Sequence, residues 1–503
     1  MANPLYDALF GPHEGRATPF LILPDGREIS HDAFLKTASR YASAITAAGL
    51  AAGDRLAAQV AKSPEALAVY AACVKAGVVF LPLNTGYTPT EVSYFVENAG
   101  AKLLLADPPA AGDLAPVARA AGAMLETLGA HGDGSLAEKA ARASDNFPPA
   151  AREEGDLAAL LYTSGTTGRS KGAMLTQKNL LSNARTLVNY WCFTAGDRLL
   201  HALPIFHTHG LFVATNTIAI SGGAMIFLPK FDTEAMIRLM PQATSMMGVP
   251  TFYTRLLDDP RFDRPLTRRM RLFVSGSAPL LAETHRAFEA RTGHRILERY
   301  GMTETNMNTS NPYEGERRAG TVGFPLPGVE LKITDPETGV ESPQGEVGVI
   351  EVRGQNVFKG YWGMPEKTKE ELRENGFFIT GDLGLIDEDG YVQIVGRGKD
   401  LIISGGFNVY PKEVELILDD QPGVLESAVV AAPHADFGEA VVGFIVPAAG
   451  AAPDLAAIEA ALATSLARYK QPKKLILIEA LPRNTMGKVQ KNALRDQVKG
   501  LFA

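Results

Sequence analysis

Short apolar runs alternate with amphipathic stretches along the first part of the chain. Ser63 to Ala76 has helical spacing and leads into Val78-Val79-Phe80-Leu81-Pro82-Leu83, an apolar run bounded by turn formers that predicts a strand. Leu157-Ala158-Ala159-Leu160-Leu161 reads as a buried strand in the same way. Alternation of this kind predicts a largely parallel sheet covered by helices. Ala106 to Glu154, rich in Ala, Pro, Gly and charge with weak periodicity, predicts peripheral structure. Leu199 to Pro229 contains no Asp, Glu, Lys or Arg, but Pro204, three histidines, Asn216 and Gly222-Gly223 interrupt it. A buried helix followed by the strand Ala224 to Leu228 accounts for it better than a membrane span.

The style changes twice further on. Val329 to Ile333, Val347 to Val352 and Tyr391 to Val395 are short strand patterns divided by Gly/Pro turns, which predicts a small β-rich subdomain. After Gly396 a helix from Pro411 to Leu418, strands at Ser427 to Ala432 and Ala440 to Val446, a helix from Asp454 to Ala467 and a strand from Leu475 to Ile478 predict a separate α+β domain. The fold class expected is therefore α/β. A large N-terminal domain of parallel-sheet subdomains (1–396) carries the β-rich piece, and a small C-terminal domain (401–503) follows the segment 397–400.

Composition narrows the function classes. A chain of 503 residues exceeds one ordinary core, so at least two domains are required. The formal charge of -7 argues against nucleic-acid binding, which needs a cationic face. The only basic cluster, Lys470-Gln471-Pro472-Lys473-Lys474, reads as a solvated surface or as help for an anionic ligand tail. Two cysteines, Cys73 and Cys192, imply no disulfide framework. An N-terminus without a basic start or apolar core predicts a cytoplasmic protein that does not engage a membrane. His201, His207 and His209 lack a cysteine or acidic partner, which disfavours zinc.

Candidate chemistry concentrates at Tyr162-Thr163-Ser164-Gly165-Thr166-Thr167-Gly168-Arg169-Ser170-Lys171-Gly172. Small residues admit a polyanion to the backbone, hydroxyls add donors and Lys171 adds charge, so the loop reads as a triphosphate cradle of non-Walker spacing. Read together with Tyr300 to Thr305, Thr380-Gly381-Asp382, Gly396 to Asp400 and Gly487-Lys488, it resembles the motif series of the adenylate-forming acyl-CoA synthetases, in the family's order over almost the whole chain. Among the subfamilies, the malonyl-CoA synthetases are the most similar.

The resemblance implies ATP, Mg²⁺ and coenzyme A as cofactors and co-substrates, and malonate or methylmalonate as the acid. It implies Glu304 and Thr166 as magnesium ligands, Thr303 at the phosphate and Tyr300 as the adenine platform, with Gly301 and Met302 beside it. Ser277-Ala278-Pro279 and Glu298-Arg299 fall along the nucleotide site, and Asp382 and Arg397 at the ribose. Lys488 is the implied catalytic lysine, bridging the attacking carboxylate and the α-phosphate. Its loop also matches a pattern under acetyl-lysine control, which brings in an acetyltransferase and a deacetylase as partners. Lys399 is the hinge position of a mobile C-terminal domain, and Ser404, Gly405, Gly406 and Phe407 flank the pantetheine arm. A dicarboxylate demands a cation in the acyl pocket. Arg255 and Arg286 are the candidates, with His207, Ser277 and Met302 as further pocket residues. A ligase for another short-chain, aryl or fatty acid, and a non-catalytic nucleotide-binding protein, are the alternatives.

Overall fold

The computed structural model describes residues 2–163, 170–335, 338–404, 407–434, 436–484 and 487–502. The chain divides into two compact units, 1–330 with 352–378, and 331–351 with 379–503.

The first unit is built on two sheets. In the six-stranded sheet, Met124–Thr127, Leu103–Ala106, Arg55–Gln59, Val79–Pro82 and Leu157–Thr163 run side by side in parallel, and Lys171–Thr176 returns antiparallel at the edge. Strands such as Val79–Pro82 and Leu103–Ala106 are buried throughout, as parallel strands covered on both faces require. Helix Pro64–Ala76 starts where the sequence predicts, because the Ser63 side chain caps the amide of Ala66, and it ends at Gly77 in the left-handed conformation. Segment 106–154 contributes an edge strand, Met124–Thr127, besides the helices Ala111–Ala120 and Ser135–Arg142.

The nine-stranded sheet places Arg198–His201, Ser245–Gly248, Leu272–Ser275 and Leu297–Met302 next to one another in parallel. Asn306–Ser310 and Phe324–Pro325 continue it antiparallel. The charge-free stretch 199–229 resolves into strand Arg198–His201, a π-helical turn His209–Thr215, helix Asn216–Ser221 and strand Ala224–Phe227. No helix of the described residues is long and apolar enough to cross a membrane.

Most residues of a four-stranded sheet, Val329–Thr334, Gly348–Gly354, Phe378–Ile386 and Val392–Arg397, fall in the second unit. A second sheet pairs Val424–His434 with Gly438–Pro447, which carries Lys474–Leu477 alongside. Helices Pro411–Asp419 and Leu455–Ser465 pack on one face of it through Val414, Leu418, Val429, Val441, Ile445, Ile458 and Leu462, while Leu494 and Val498 of helix Lys491–Val498 pack with Val430, Val442 and Phe444. The expected α+β mix is thus present, and compactness groups the small β-rich sheet with it.

Candidate active site

The phosphate-loop candidates Ser164, Gly165, Thr166, Thr167 and Gly168 lie outside the described residues, but their two anchors are fixed. Thr163 and Lys171 face each other in an antiparallel register. Lys171 is buried, and its ammonium donates to both carboxylate oxygens of Glu371 at 3.0 and 3.2 Å while lying 4.1 Å from the centre of the Tyr361 ring. The Tyr361 hydroxyl reaches Glu371 at 2.6 Å and Glu304 at 3.2 Å, and the Thr163 hydroxyl approaches the same Glu304 oxygen at 3.4 Å. Burial alone would raise the Glu371 pKa; hydrogen bonds from Tyr361, Lys171 and Lys367 outweigh it and hold the carboxyl below its usual range. Glu304, the proposed metal ligand, and Lys171, the proposed phosphate cation, are therefore two ends of one hydrogen-bonded chain. Sequence reasoning missed Tyr361 and Glu371, which sit about 190 residues downstream of the loop.

Strand Leu297–Met302 carries the next group. Glu298 turns inward, where its carboxylate meets Nδ1 of His285 at 3.2 Å and accepts from the Gly320 amide at 3.4 Å. Its side chain thus has structural partners beside the expected nucleotide role. Tyr300, Met302 and Thr303 are half-buried, with the Tyr300 hydroxyl 3.9 Å from the Met302 sulfur. Gly301 is obligatory: a Cβ there would sit 1.9 Å from the Asn306 carbonyl oxygen, because the hairpin folds back tightly. Asn306 and Ser277 both adopt left-handed φ, 51° and 73°, an arrangement non-glycine residues hold at a cost and one that clusters at functional sites.

Arg299 is the most informative member. It is 4% exposed, its Nε and Nη2 have no hydrogen-bond partner, and no carboxylate pairs with it among the described residues. Burial pushes its pKa down to about 9, with the Tyr253 phenol opposing weakly, so it remains a cation at neutral pH. Its guanidinium occupies the space a side chain would take at Gly276, directly before Ser277-Ala278-Pro279. The Ser277 hydroxyl in turn lies 3.2 Å from Nδ1 of His209. His209 is enclosed with an unpartnered Nε2, and burial first, then the charge of Arg299, push its pKa well below the usual imidazole value, so it is neutral. A buried guanidinium without a counter-ion costs several kcal/mol, and an arriving anion relieves that cost.

The other pocket candidates are placed less centrally. His207 is half-buried in the same loop as His209. Arg255 is exposed on helix Pro250–Leu257, 5.8 Å from the Phe231 ring, and Arg286 is exposed on helix Ala282–Thr292. Ala278 is half-buried and Pro279 exposed. Arg299 was expected, with Glu298, along the nucleotide site; two successive charged residues inside a strand of a parallel sheet are the local signal that sets the pair apart.

In the second unit Asp382 and Arg397 are cross-strand partners, Oδ1 to Nε at 2.6 Å, with Asp382 buried. Gly381 at φ 71° makes the kink, and the Thr380 hydroxyl receives the Asp382 amide while donating to the Ile350 carbonyl. Lys399 is exposed in the turn Gly398–Asp400, whose Asp400 pairs with Arg495. Ser404 is buried and pairs in register with Phe407, which is 58% exposed and stacks on Tyr469 at 4.7 Å; Gly405 and Gly406 lie outside the described residues. Asn484 closes the lysine loop, its side chain accepting the Lys488 amide at 3.0 Å and its own amide donating to the Lys488 carbonyl at 2.9 Å, which leaves the Lys488 side chain at the surface.

Among the described residues no three of His, Cys, Asp and Glu group as a metal cage. The single buried carboxylate of Glu304, lined by hydroxyls, fits magnesium, which takes one or two carboxylates and completes its shell with phosphate and water. Two sheets with a glycine-rich sequence between Thr163 and Lys171, and a buried carboxylate and a buried lysine near strand ends, followed by a smaller α+β unit, define an enzyme that handles a nucleotide polyphosphate. The family model for AMP-binding enzymes matches residues 12–362 and that for their C-terminal domain residues 413–488; the chain belongs to this family.

Its structure superposes on ATP-bound MatB from Rhodopseudomonas palustris with a TM-score of 0.98 at 57% identity, covering 100% of both chains. A sulfoacetate–CoA ligase of Cupriavidus necator is 34% identical over 94% of this chain and 93% of its own length. A malonate–CoA ligase of Arabidopsis thaliana is 36% identical over 83% and 74%.

Proposed function

We propose that this chain is an ATP-dependent malonate or methylmalonate:CoA ligase. One malonate carboxylate attacks the α-phosphate of ATP, a P–O bond forms and pyrophosphate leaves with the electron pair. The CoA thiol then loses its proton to solvent, its sulfur adds to the carbonyl of the acyl-adenylate, and AMP departs with the C–O electron pair as the thioester forms. The attacking carboxylate needs no base, so stabilising negative charge is the main demand on the protein. Magnesium, when bound, neutralises phosphate charge, and Glu304 would hold it with Thr166. Thr163, Lys171 and Thr303 orient the phosphates, while Tyr300, Asp382 and Arg397 take the nucleoside.

The observation that carries the dicarboxylate reading is the uncompensated Arg299 beside Ser277 and His209. A monocarboxylate has nothing to offer that cation once its carboxylate is committed to the phosphate. A second carboxylate pairs with it, and the neutral His209 can donate or accept beside it. Arg299 thus replaces Arg255 and Arg286 as the favoured pocket cation. The likeness to a sulfoacetate–CoA ligase favours a second reading, a carboxylate bearing a sulfonate in the same pocket. Pyrophosphate release with malonate, methylmalonate, sulfoacetate, acetate and benzoate, for wild type and Arg299→Met, tests both. Malonate turnover lost in the variant is expected; turnover confined to monocarboxylates refutes the assignment, and sulfoacetate above malonate selects the second reading.

In the same proposal the C-terminal domain (401–503) turns on the N-terminal domain (1–396) about Lys399 within 397–400, exchanging Lys488 for the Ser404-to-Phe407 hairpin as CoA enters. Lys488 supplies a compact charge on a flexible stem, and an acetyltransferase and deacetylase pair would switch it. Full adenylation activity of Lys488-acetylated protein refutes that control.

A further inference from the structure

Lys62 is a half-buried lysine whose enclosed ammonium no step above uses. It lies in the loop between strand Arg55–Gln59 and helix Pro64–Ala76, and its ammonium meets Nδ1 of His201 at 2.8 Å and the carbonyls of His201 and Leu203 at 2.9 Å each. The Phe227 ring centre is 4.3 Å away. His201 continues the chain, its Nε2 lying 2.9 Å from the Gly210 carbonyl. Counting hydrogens fixes the charge. The two carbonyls, the Nζ–Nδ1 contact and the Nε2–carbonyl contact each consume one, and an ammonium plus a neutral imidazole supply four. All four contacts therefore require one positive charge on the pair. Enclosure pulls the Lys62 pKa well below its ordinary value, and these contacts oppose it, because losing a proton would orphan a buried acceptor. No carboxylate pairs with Lys62 among the described residues.

The segment gripped in this way is the histidine loop. Lys62 holds its start directly at 201 and 203, and through His201 it holds Gly210, the second residue of the π-helical turn His209–Thr215. The loop closes tightly between these points: a Cβ on Gly210 would lie 2.0 Å from the Pro204 carbonyl oxygen. Between them stand His207 and His209, the latter touching Ser277. We infer that Lys62 is a positioning residue for acid selection, clamping loop 201–210 so that His207 and His209 face the acyl pocket. The inference rests on the reading of this loop as pocket wall. It predicts an effect on the acid and none on ATP, whose proposed phosphate and nucleoside contacts, Thr163, Lys171, Thr303, Tyr300, Asp382 and Arg397, lie on other elements.

The test compares wild type, Lys62→Met, Lys62→Arg and the milder Lys62→Gln. The readouts are KM and kcat for the acid that the wild type turns over best, ATP affinity by calorimetry, and thermal unfolding. Lys62→Met or, if that variant does not fold, Lys62→Gln should raise the acid KM about 10- to 100-fold, the range a displaced positioning group produces, with ATP affinity unchanged. Lys62→Arg, which keeps the charge, should recover part of the loss. An acid KM within twofold of wild type in folded Met or Gln variants overturns the inference. So does a parallel loss of acid and ATP affinity that tracks the melting temperature, which would mark Lys62 as scaffold alone. If the wild type prefers an acid other than malonate, the substrate assignment fails while the clamp is still judged on that acid.

Discussion

Gly276→Ala isolates the role of Arg299 without touching its charge. The backbone of Gly276 does not lie in the left-handed region, so alanine introduces no conformational strain. The new Cβ, however, would lie 2.3 Å from the guanidinium carbon, 2.5 Å from Nε and 2.6 Å from Nη1, against an ordinary contact of 3.4 Å or more. Arg299 must therefore retreat by about 1 Å. A misplacement of that size costs about 100-fold in a well-organised site, or about 2.7 kcal/mol of transition-state stabilisation. Continuous pyrophosphate release at saturating ATP should show kcat/KM for malonate falling about 100-fold, with the KM for ATP unchanged and any turnover of acetate unaffected. Adding Gly276→Ala to Arg299→Met should then do nothing further, since the group it displaces is gone. Malonate kcat/KM within threefold of wild type in folded Gly276→Ala refutes the assignment of Arg299. A full further loss in the double variant refutes the proposed route of action.

Arg299→Met should also melt at a higher temperature than wild type in the absence of substrate, because removing a buried unpaired charge relieves desolvation; a lower melting temperature contradicts the view that the cation is uncompensated. Glu371→Gln, and more mildly Tyr361→Phe, should raise the KM for ATP about tenfold, or about 1.4 kcal/mol, and leave the KM for malonate alone; equal changes in both point to general loosening. Lys488→Ala should slow adenylation by about 100- to 1000-fold, as for other lost transition-state charges, yet still convert supplied malonyl-adenylate and CoA to thioester; loss of both half-reactions defeats the proposed division of labour. His31 is buried between His13 and Phe20, and burial first, then electrostatic interaction with the neighbouring His13 and Arg16, lowers its pKa from 6.5 to about 4. Between those values the unfolded chain binds the extra proton, so stability is lost as pH falls through the window, by about 3 kcal/mol in all. Denaturant melts from pH 7 to 4 should show that slope in wild type and a flatter one in His31→Phe.

Local rules made much of the fold legible. Ser63 before Pro64, Gly77 after Ala76 and the apolar run from Val78 stated a helix, its end and the next strand, and each formed where those residues sit. Met124–Thr127 was not legible, because four residues of mixed polarity become a strand only by lying against Leu103–Ala106. The phosphate loop was visible as composition, and its partners were not: Tyr361 and Glu371 reach Glu304 and Lys171 through tertiary packing that no local pattern encodes. Arg255 and Arg286 came from the resemblance, as cations near segments that line the acyl pocket in relatives, and both stand at exposed positions of their helices.

The arginine and lysine pairings have a common logic. Lys171 faces Glu371 and Arg397 faces Asp382, so the cations expected to meet the nucleotide are already neutralised by carboxylates. A polyphosphate brings several charges and its own metal, and it can bind to groups held in place by such pairs without requiring an exposed cation in the free enzyme. Arg299 is different, with no acidic partner among the described residues and two nitrogens without acceptors. A small dianion has little surface to bury, so most of its selection must come from one charge interaction made in a site that water does not screen. If Arg299 is the pocket cation, as proposed, leaving it unpaired stores the required difference in the free protein: an acid carrying a second anionic group would release it on binding, and a monocarboxylate would not. On the proposed assignment, discrimination against acetate and benzoate would come from the cost of leaving that buried cation unpaired.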